Sequence, residues 1–316
     1  AGVASSPTTV PGGAAEPAAA RRPRRRTAGL PQWARVLLLL SPALAVVLGL
    51  FAGGLAFGIA QSVGYLPFID QRDVSLDAYR RISESVAFRA SVGLTLRLAL
   101  TSTAVSAALA VAGALLVRGT GRGRRLTTFL FQFNLPIPHI VGGVAMLLLL
   151  SQSGLVSRMA FALGLAQSPG DFPALVADRF GWAIIAEYVW KEVPFIGVVV
   201  LAALAGPIAD LEDVARTLGA DGWQRFRHVV LPLITPAVAS ASIIVFAFTF
   251  GSYEIPFLLG QPFPAALPVL AFRAYSDADL ASRADAMAMS VIIAVFVGTL
   301  VLAYMRLSER LLRGPS

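Results

Sequence analysis

The chain has 316 residues, 56% of them hydrophobic and only 14% charged, with a mean hydropathy of +0.72 and a formal net charge of +8. So little charge cannot cover a water-facing surface, which excludes an ordinary soluble domain and predicts that most of the chain faces lipid or other protein. Without cysteine and with only two histidines, disulfide frameworks, thiolate metal sites and cysteine nucleophiles are excluded, and no metal centre is expected.

Residues 1–32 are rich in Ala, Pro, Gly, Ser and Thr and carry the cluster Arg21, Arg22, Arg24, Arg25 and Arg26. That composition cannot bury a core and predicts a disordered basic tail. The cluster is read as a topology signal rather than a nucleic-acid or lipid site. Six runs then meet the requirement of roughly 20 mostly apolar residues for crossing a bilayer. They are Val36–Ala60, Leu98–Val117, Leu126–Leu150, Trp182–Leu204, Leu233–Gly251 and Ala286–Tyr304. Backbone groups in lipid must be satisfied within the segment, and the alternation of barrel strands is absent, so all six are predicted helices. The fold class is thus an all-α integral membrane protein of six transmembrane helices. Residues 33–60 form a peripheral first helix, 61–90 an external segment, 91–310 a five-helix core and 311–316 a short tail.

Orientation follows from the basic residues. With the N-terminus inside, the inner segments hold 16 arginines and the outer ones 8. The positive-inside rule then places both termini in the cytoplasm of a multi-pass cell-membrane protein. Within the outer segments, the stretch from Asp77 to Ser85 and "LVSRMAFALGL" are predicted interfacial helices.

The membrane segments carry polar groups that ask for a role. The third contains Asn134, Pro136, Pro138 and His139; prolines free carbonyls, which is tolerated beside protein or a water-filled cavity. His139 is read as a packing partner. The fourth contains Glu187, Trp190, Lys191, Glu192 and Pro194. Glu187 and Lys191, four residues apart, are expected to pair on one face. Such a pair either fixes helix packing or walls a solute path. At the outer end of the fifth, Tyr253 and Glu254 line a cavity or anchor the helix at the interface.

Between the fourth and fifth runs lies a polar loop, 207–232. Leu211, Val214, Ala215 and Leu218 fall at i, i+3, i+4 and i+7, one apolar stripe on a short helix. Asp210, Glu212 and Asp213 crowd its first turn, where the helix dipole favours negative charge. Gly219 stands where a left-handed cap ends a helix. The turn Gly219-Ala220-Asp221-Gly222 leads to a second stripe, Trp223, Phe226 and Val230, and Pro232 and Pro236 open the fifth run. A helix–turn–helix of this kind suits a groove on another protein.

The loop resembles the cytoplasmic signature of the permease subunits of binding-protein-dependent ABC importers, E-A-A, three residues, G, nine residues, I-x-L-P. Asp213-Val214-Ala215 stands for the triplet, Gly219 has the matching spacing, and Val229-Val230-Leu231-Pro232 closes the motif, with Glu, Ala and Ile replaced by Asp, Val and Val. "SLDAYRRI", "SVGLTLRLALTST" and "AEYVWKEVPFIGVVVLAALAGPIADLEDVA" extend the resemblance over roughly residues 75–310.

The resemblance implies the MetI-like permease fold. It also implies a loop (Asp213, Val214, Ala215, Gly219, Ala220, Asp221, Gly222, Val229, Leu231, Pro232) that docks on a cytoplasmic ATPase dimer. A second permease, identical or paralogous, and an extracytoplasmic solute-binding protein complete the expected partners, with lipid around the chain and no nucleic acid. ATP and Mg are expected on the ATPase; this chain carries no catalytic residue, metal or cofactor. Consistently, no G-x-x-x-x-G-K-[ST] phosphate cradle occurs, and "RGTGRGRR" at Arg118–Arg125 reads as a basic inside turn. The stretch "FGSYEIPFLLG" with "LPVLAFRAYSDADL" resembles the branch serving polyamine importers and their iron, sulfate and thiamine relatives. The expected cargo is a polyamine-like cation, then a sugar or another small solute. The solute path is expected among Asn134, Pro136, Glu187, Trp190, Lys191, Glu192, Tyr253 and Glu254. An ion-gradient-driven transporter and a membrane scaffold are the readings from other classes.

Overall fold

The computed structural model describes residues 31–117, 129, 132–205 and 208–312, together with Gly2. The basic tail, the turn at Arg118–Arg125, most of 126–131, the first residue of the 207–232 loop and the last residues of the C-terminal tail lie outside the described residues. The helices are α1 (Gln32–Ser62), α2 (Asp77–Glu84), α3 (Val86–Val117), α4 (His139–Leu150), α5 (Leu155–Ala162) and α6 (Trp182–Leu204). They continue with α7 (Ile208–Thr217), α8 (Gly222–Arg225), a π-helical turn (Phe226–Val230), α9 (Leu231–Gly251), α10 (Glu254–Leu259), α11 (Leu267–Tyr275) and α12 (Ser282–Leu312). No strand occurs among the described residues.

Among the described residues, five helical stretches are long and apolar enough to cross a membrane: Gln32–Ser62, Val86–Leu116, His139–Ala162, Gly222–Gly251 and Ser282–Arg306. The sixth predicted span, α6, has the expected bounds and 23 residues. At 1.5 Å rise per residue it is about 34 Å long, enough for the hydrocarbon core. It differs from the other five in composition, since Glu187, Lys191 and Glu192 lie within it; all three are buried in the protein.

Three expected boundaries are corrected. The second span begins at Val86 rather than Leu98. Arg89 and Arg97 lower the local hydropathy, yet Arg97 donates to the Arg179 carbonyl and lies 5.0 Å over the Phe180 ring, so its charge is spent on protein. The third span is not one helix from Leu126: the chain turns through Asn134–Ile137 and α4 starts at His139. Pro136 and Pro138 have no N–H to give a continuing helix. The fifth does not start at Leu233, because the helical path is continuous from Gly222 to Gly251. The π turn, closed by the Leu231 N–H on the Phe226 carbonyl, carries it past Pro232.

The chain divides into two compact units, Ala1–Gly53 and Gly54–Ser316. In the first, the described stretch of α1 is helical with exposed side chains. The second includes the end of α1, where Gln61 and Ser62 are buried; the expected boundary after residue 60 therefore falls inside a packed element.

The second unit is organised around α3 and α6, which share its most extensive contact. At one end Ala110 and Ala114 of α3, Ile196, Val200 and Leu204 of α6, Ile208 of α7, Val230 and Ile234 form one buried cluster that roots the loop in the spans. At the opposite end Ala78 and Ile82 of α2 pack with Leu267 and Ala271 of α11 and Ala284 and Ala288 of α12. There Arg81 makes a bidentate pair with Asp285, 2.6 Å at its shortest. That hydrogen bond holds the Arg81 guanidinium above its ordinary value.

Candidate functional site

The loop is built by capping. At the end of α7 the Gly219 N–H reaches the Arg216 carbonyl at 3.0 Å and the Ala220 N–H reaches Ala215 at 3.0 Å. This is a Schellman ending, and Gly219 sits at φ +86, the left-handed region it requires. Asp221 then caps α8. Its carboxylate accepts from the Gln224 N–H at 2.7 Å, while the Gln224 side chain accepts from the Asp221 N–H at 2.9 Å. The reciprocal pair satisfies two donors that a helix start leaves open.

These caps present an apolar face. Leu211, Val214, Leu218 and Trp223 are 47%, 56%, 81% and 64% exposed. The Trp223 ring is steadied by Phe226, with centroids 5.5 Å apart. Asp213 is exposed and bridges to Arg216 at 3.0 Å. Gly222, Leu231 and Pro232 are exposed, and Ala215, Ala220 and Val229 half-buried. Of the closing motif, Val230 is the buried residue, so it roots the loop.

The polar groups of the spans meet around the break before α4. The expected Glu187–Lys191 pair is replaced. Lys191 donates to the carbonyls of Asn134 at 2.8 Å and Ile137 at 2.6 Å; Pro138 has no N–H to give the first, and the Val141 N–H goes to the Pro138 carbonyl rather than the second. Glu187, fully buried, faces His139 Nδ1 at 3.3 Å, and Glu192 lies 3.8 Å from His139 Nε2. Asn134 is buried and donates to the Trp190 carbonyl at 2.6 Å. Pro136 is exposed and Trp190 half-buried. Glu254 is exposed at the start of α10. Tyr253 stacks with Phe257, centroids 5.0 Å apart, and meets Phe272 at a tilt, centroids 4.6 Å apart.

Two features of this region were not drawn from the sequence. His139 stands between the two carboxylates rather than serving packing alone. Gly142 and Gly143 let α4 approach closely: a Cβ at Gly142 meets Trp190 at 2.8 Å and Glu187 at 2.9 Å, and one at Gly143 meets Ile255 at 2.9 Å. The adjacent glycines of "HIVGG" were the available signal, since small residues mark helix contacts in membranes.

Residues 110–314, well over half of the chain, match the family described as binding-protein-dependent transport system inner membrane component. The chain belongs to that family. Among its relatives, the permease is 29% identical over 158 residues to a Salmonella typhimurium protein named for 2-aminoethylphosphonate transport, covering 50% of this chain and 55% of that one. An Escherichia coli inner membrane ABC transporter permease is 34% identical over 132 residues, 39% of this chain and 42% of the relative. The permease thus spans about half the length of the curated relatives it matches first. A Haloferax volcanii protein named for molybdenum ABC transport aligns more fully, 28% identical over 289 residues, 90% of this chain and 96% of that one. A solved bacterial ABC transporter involved in alginate import has the same fold, with a TM-score of 0.71 and 22% identity, covering 88% of the permease and 96% of that chain.

Proposed function

We propose that the permease is the non-catalytic membrane subunit of an ATP-driven importer. It forms the path for a small solute handed over by an extracytoplasmic binding protein, with ATP and Mg held on a separate ATPase dimer and a second permease completing the path. The observation that carries this reading is the loop. Its two capped helices present Leu211, Val214, Leu218 and Trp223 to solvent while Ile208 and Val230 tie it into the same cluster as the spans. An apolar face on a rigid, charged loop is built for a partner, and its rooting lets a partner's movement reach the membrane helices. The motif from Asp213 to Pro232 and the family match add to it.

The loop faces the cytoplasm in this proposal, as do both termini. Because the chain has no cysteine, a Gly222→Cys variant reports its side directly, and labelling by an impermeant reagent from outside overturns the orientation.

For the cargo, the proposal is a small charged solute. The buried carboxylates Glu187 and Glu192 with exposed Glu254 support a polyamine-like cation. The relatives named for 2-aminoethylphosphonate and molybdenum, and the transporter of acidic alginate, support an anion or zwitterion instead. The deciding experiment reconstitutes the permease with its ATPase and binding protein in vesicles and measures uptake of labelled solutes identified by a binding-protein ligand screen. ATP-dependent uptake is expected. Uptake that follows a proton or sodium gradient without nucleotide makes it a secondary transporter.

A further inference from the structure

Two prolines and two polar side chains, divided between the third-span break and α6, form a reciprocal arrangement. In an α-helix each carbonyl accepts from the N–H four residues on. Pro138 is four residues after Asn134 and has no N–H, so the Asn134 carbonyl keeps only a 3.2 Å turn bond from Ile137. The Ile137 carbonyl also loses its helical donor, because the Val141 N–H turns to Pro138 at 3.0 Å. Lys191, from α6, supplies both acceptors with its ammonium, at 2.8 and 2.6 Å.

The converse holds on α6. Pro194 is four residues after Trp190 and cannot serve its carbonyl; the Asn134 amide does, at 2.6 Å. Each segment therefore has a carbonyl that its own proline leaves without its helical donor, and each accepts from a side chain of the other. Asn134 and Lys191 are both buried, 3% and 5% exposed, where an open polar group is costly and the replacement bond correspondingly firm.

We propose that Asn134 and Lys191 are positioning residues that clasp the break at 134–138 to α6, so that the two move as one body during transport. The transport part rests on the importer reading; the clasp itself does not. Helix α6 runs to Leu204 and joins the cluster that holds the loop, so a displacement of the loop is carried through α6 to the break and the start of α4. The residues act through backbone carbonyls and need not touch the solute. Their replacement is therefore expected to lower solute moved per ATP hydrolysed while leaving the apparent affinity for loaded binding protein unchanged.

The test is a cycle, run on the assembled complex for transport and on the purified full chain in detergent for unfolding. In the parent chain, Asn134→Ala leaves the Trp190 carbonyl open and is expected to reduce uptake per ATP about tenfold, the population equivalent of one buried partner lost. Pro194→Ala provides an N–H for that carbonyl. In its background, Asn134→Ala is expected to change uptake per ATP no more than about twofold, and the two substitutions are expected to be non-additive in unfolding midpoint. Lys191→Met, which removes the donor to the Asn134 and Ile137 carbonyls together, is expected to lower uptake per ATP in the same direction as Asn134→Ala.

Additive effects of Asn134→Ala and Pro194→Ala, in uptake per ATP and in unfolding midpoint alike, overturn the clasp. Non-additive unfolding with unchanged uptake per ATP in the single variants leaves only a static brace and overturns the positioning role. If the unsubstituted complex shows no ATP-driven uptake, the importer reading and the transport role fail together, while the unfolding cycle still decides the clasp.

Discussion

Replacing Gly219 by alanine isolates backbone conformation from side-chain contact. A Cβ built at Gly219 has nothing within 4 Å, so steric crowding contributes nothing. What remains is the left-handed φ of +86, which disfavours an L residue by about 1–2 kcal/mol. Part of that is offset, by about 0.4–1 kcal/mol, because alanine also narrows the unfolded ensemble. A net loss of about 1 kcal/mol corresponds to roughly fivefold depletion of the capped loop conformer. The two N–H groups that close the cap, of Gly219 and Ala220, report it directly. Their amide exchange in lipid nanodiscs should accelerate about fivefold, with substrate-stimulated ATP hydrolysis by the assembled complex falling in parallel. Gly222, which has no positive φ and meets only Arg225 at 3.9 Å, is the control, and Gly222→Ala should change little. Gly219→Asn should recover most of the loss, because asparagine tolerates the left-handed region. Equal effects at Gly219 and Gly222, or asparagine no better than alanine, would refute the conformational argument.

Asp221→Ala removes the cap on α8 and should destabilise the loop by about 1 kcal/mol, read as faster exchange of the Gln224 amide with exchange in α3 unchanged. If the cargo is a cation, Glu254→Gln should reduce vesicle uptake more than Glu187→Gln, since Glu254 is exposed whereas Glu187 faces His139; unchanged uptake for Glu254→Gln moves the cargo toward an anion. Asp171 accepts from the Gln167 and Ser168 N–H groups at 2.8 Å each, and these bonds hold its carboxyl below the ordinary value of 3.8. Its folded value is the lower one, so its contribution to the loop is complete above the ordinary value and disappears as pH falls through the folded value. Exchange of those two amides, corrected for intrinsic rate, should therefore rise below about pH 4 in the parent chain and lack that step in Asp171→Asn.

What the sequence made legible was whatever depends on neighbours along the chain. The bounds of α6, the α2 helix at Asp77 and the stop at Gly219 follow from hydropathy, period and backbone chemistry. Partners that meet only in space were not legible. The four-residue spacing of Glu187 and Lys191 suggested a pair, but the open carbonyls of Asn134 and Ile137 lie more than fifty positions away and draw the ammonium instead. Pro138 and Pro194, which deny the Asn134 and Trp190 carbonyls their helical donors, were visible; that each is served by the other segment's side chain was not. Arg97 is a second case: it stands just before the expected start of the second span at Leu98, and its partners, the Arg179 carbonyl and the Phe180 ring, lie some eighty positions along the chain.

The π turn at Phe226–Val230 sets a rule for how this chain can change length. The helical path from Gly222 to Gly251 has 30 residues, and within a regular helix the loss or gain of one residue rotates everything beyond it by about 100°. Such a change would swing Trp223 away from the face it shares with the α7 stripe. A π turn already holds one residue more than an α turn, so it can release that residue and close into ordinary helix with both flanks keeping their azimuth. Residues 226–230 are thus the stretch of this rod where a single-codon deletion leaves the aim of the loop intact, and length variation among relatives should collect there.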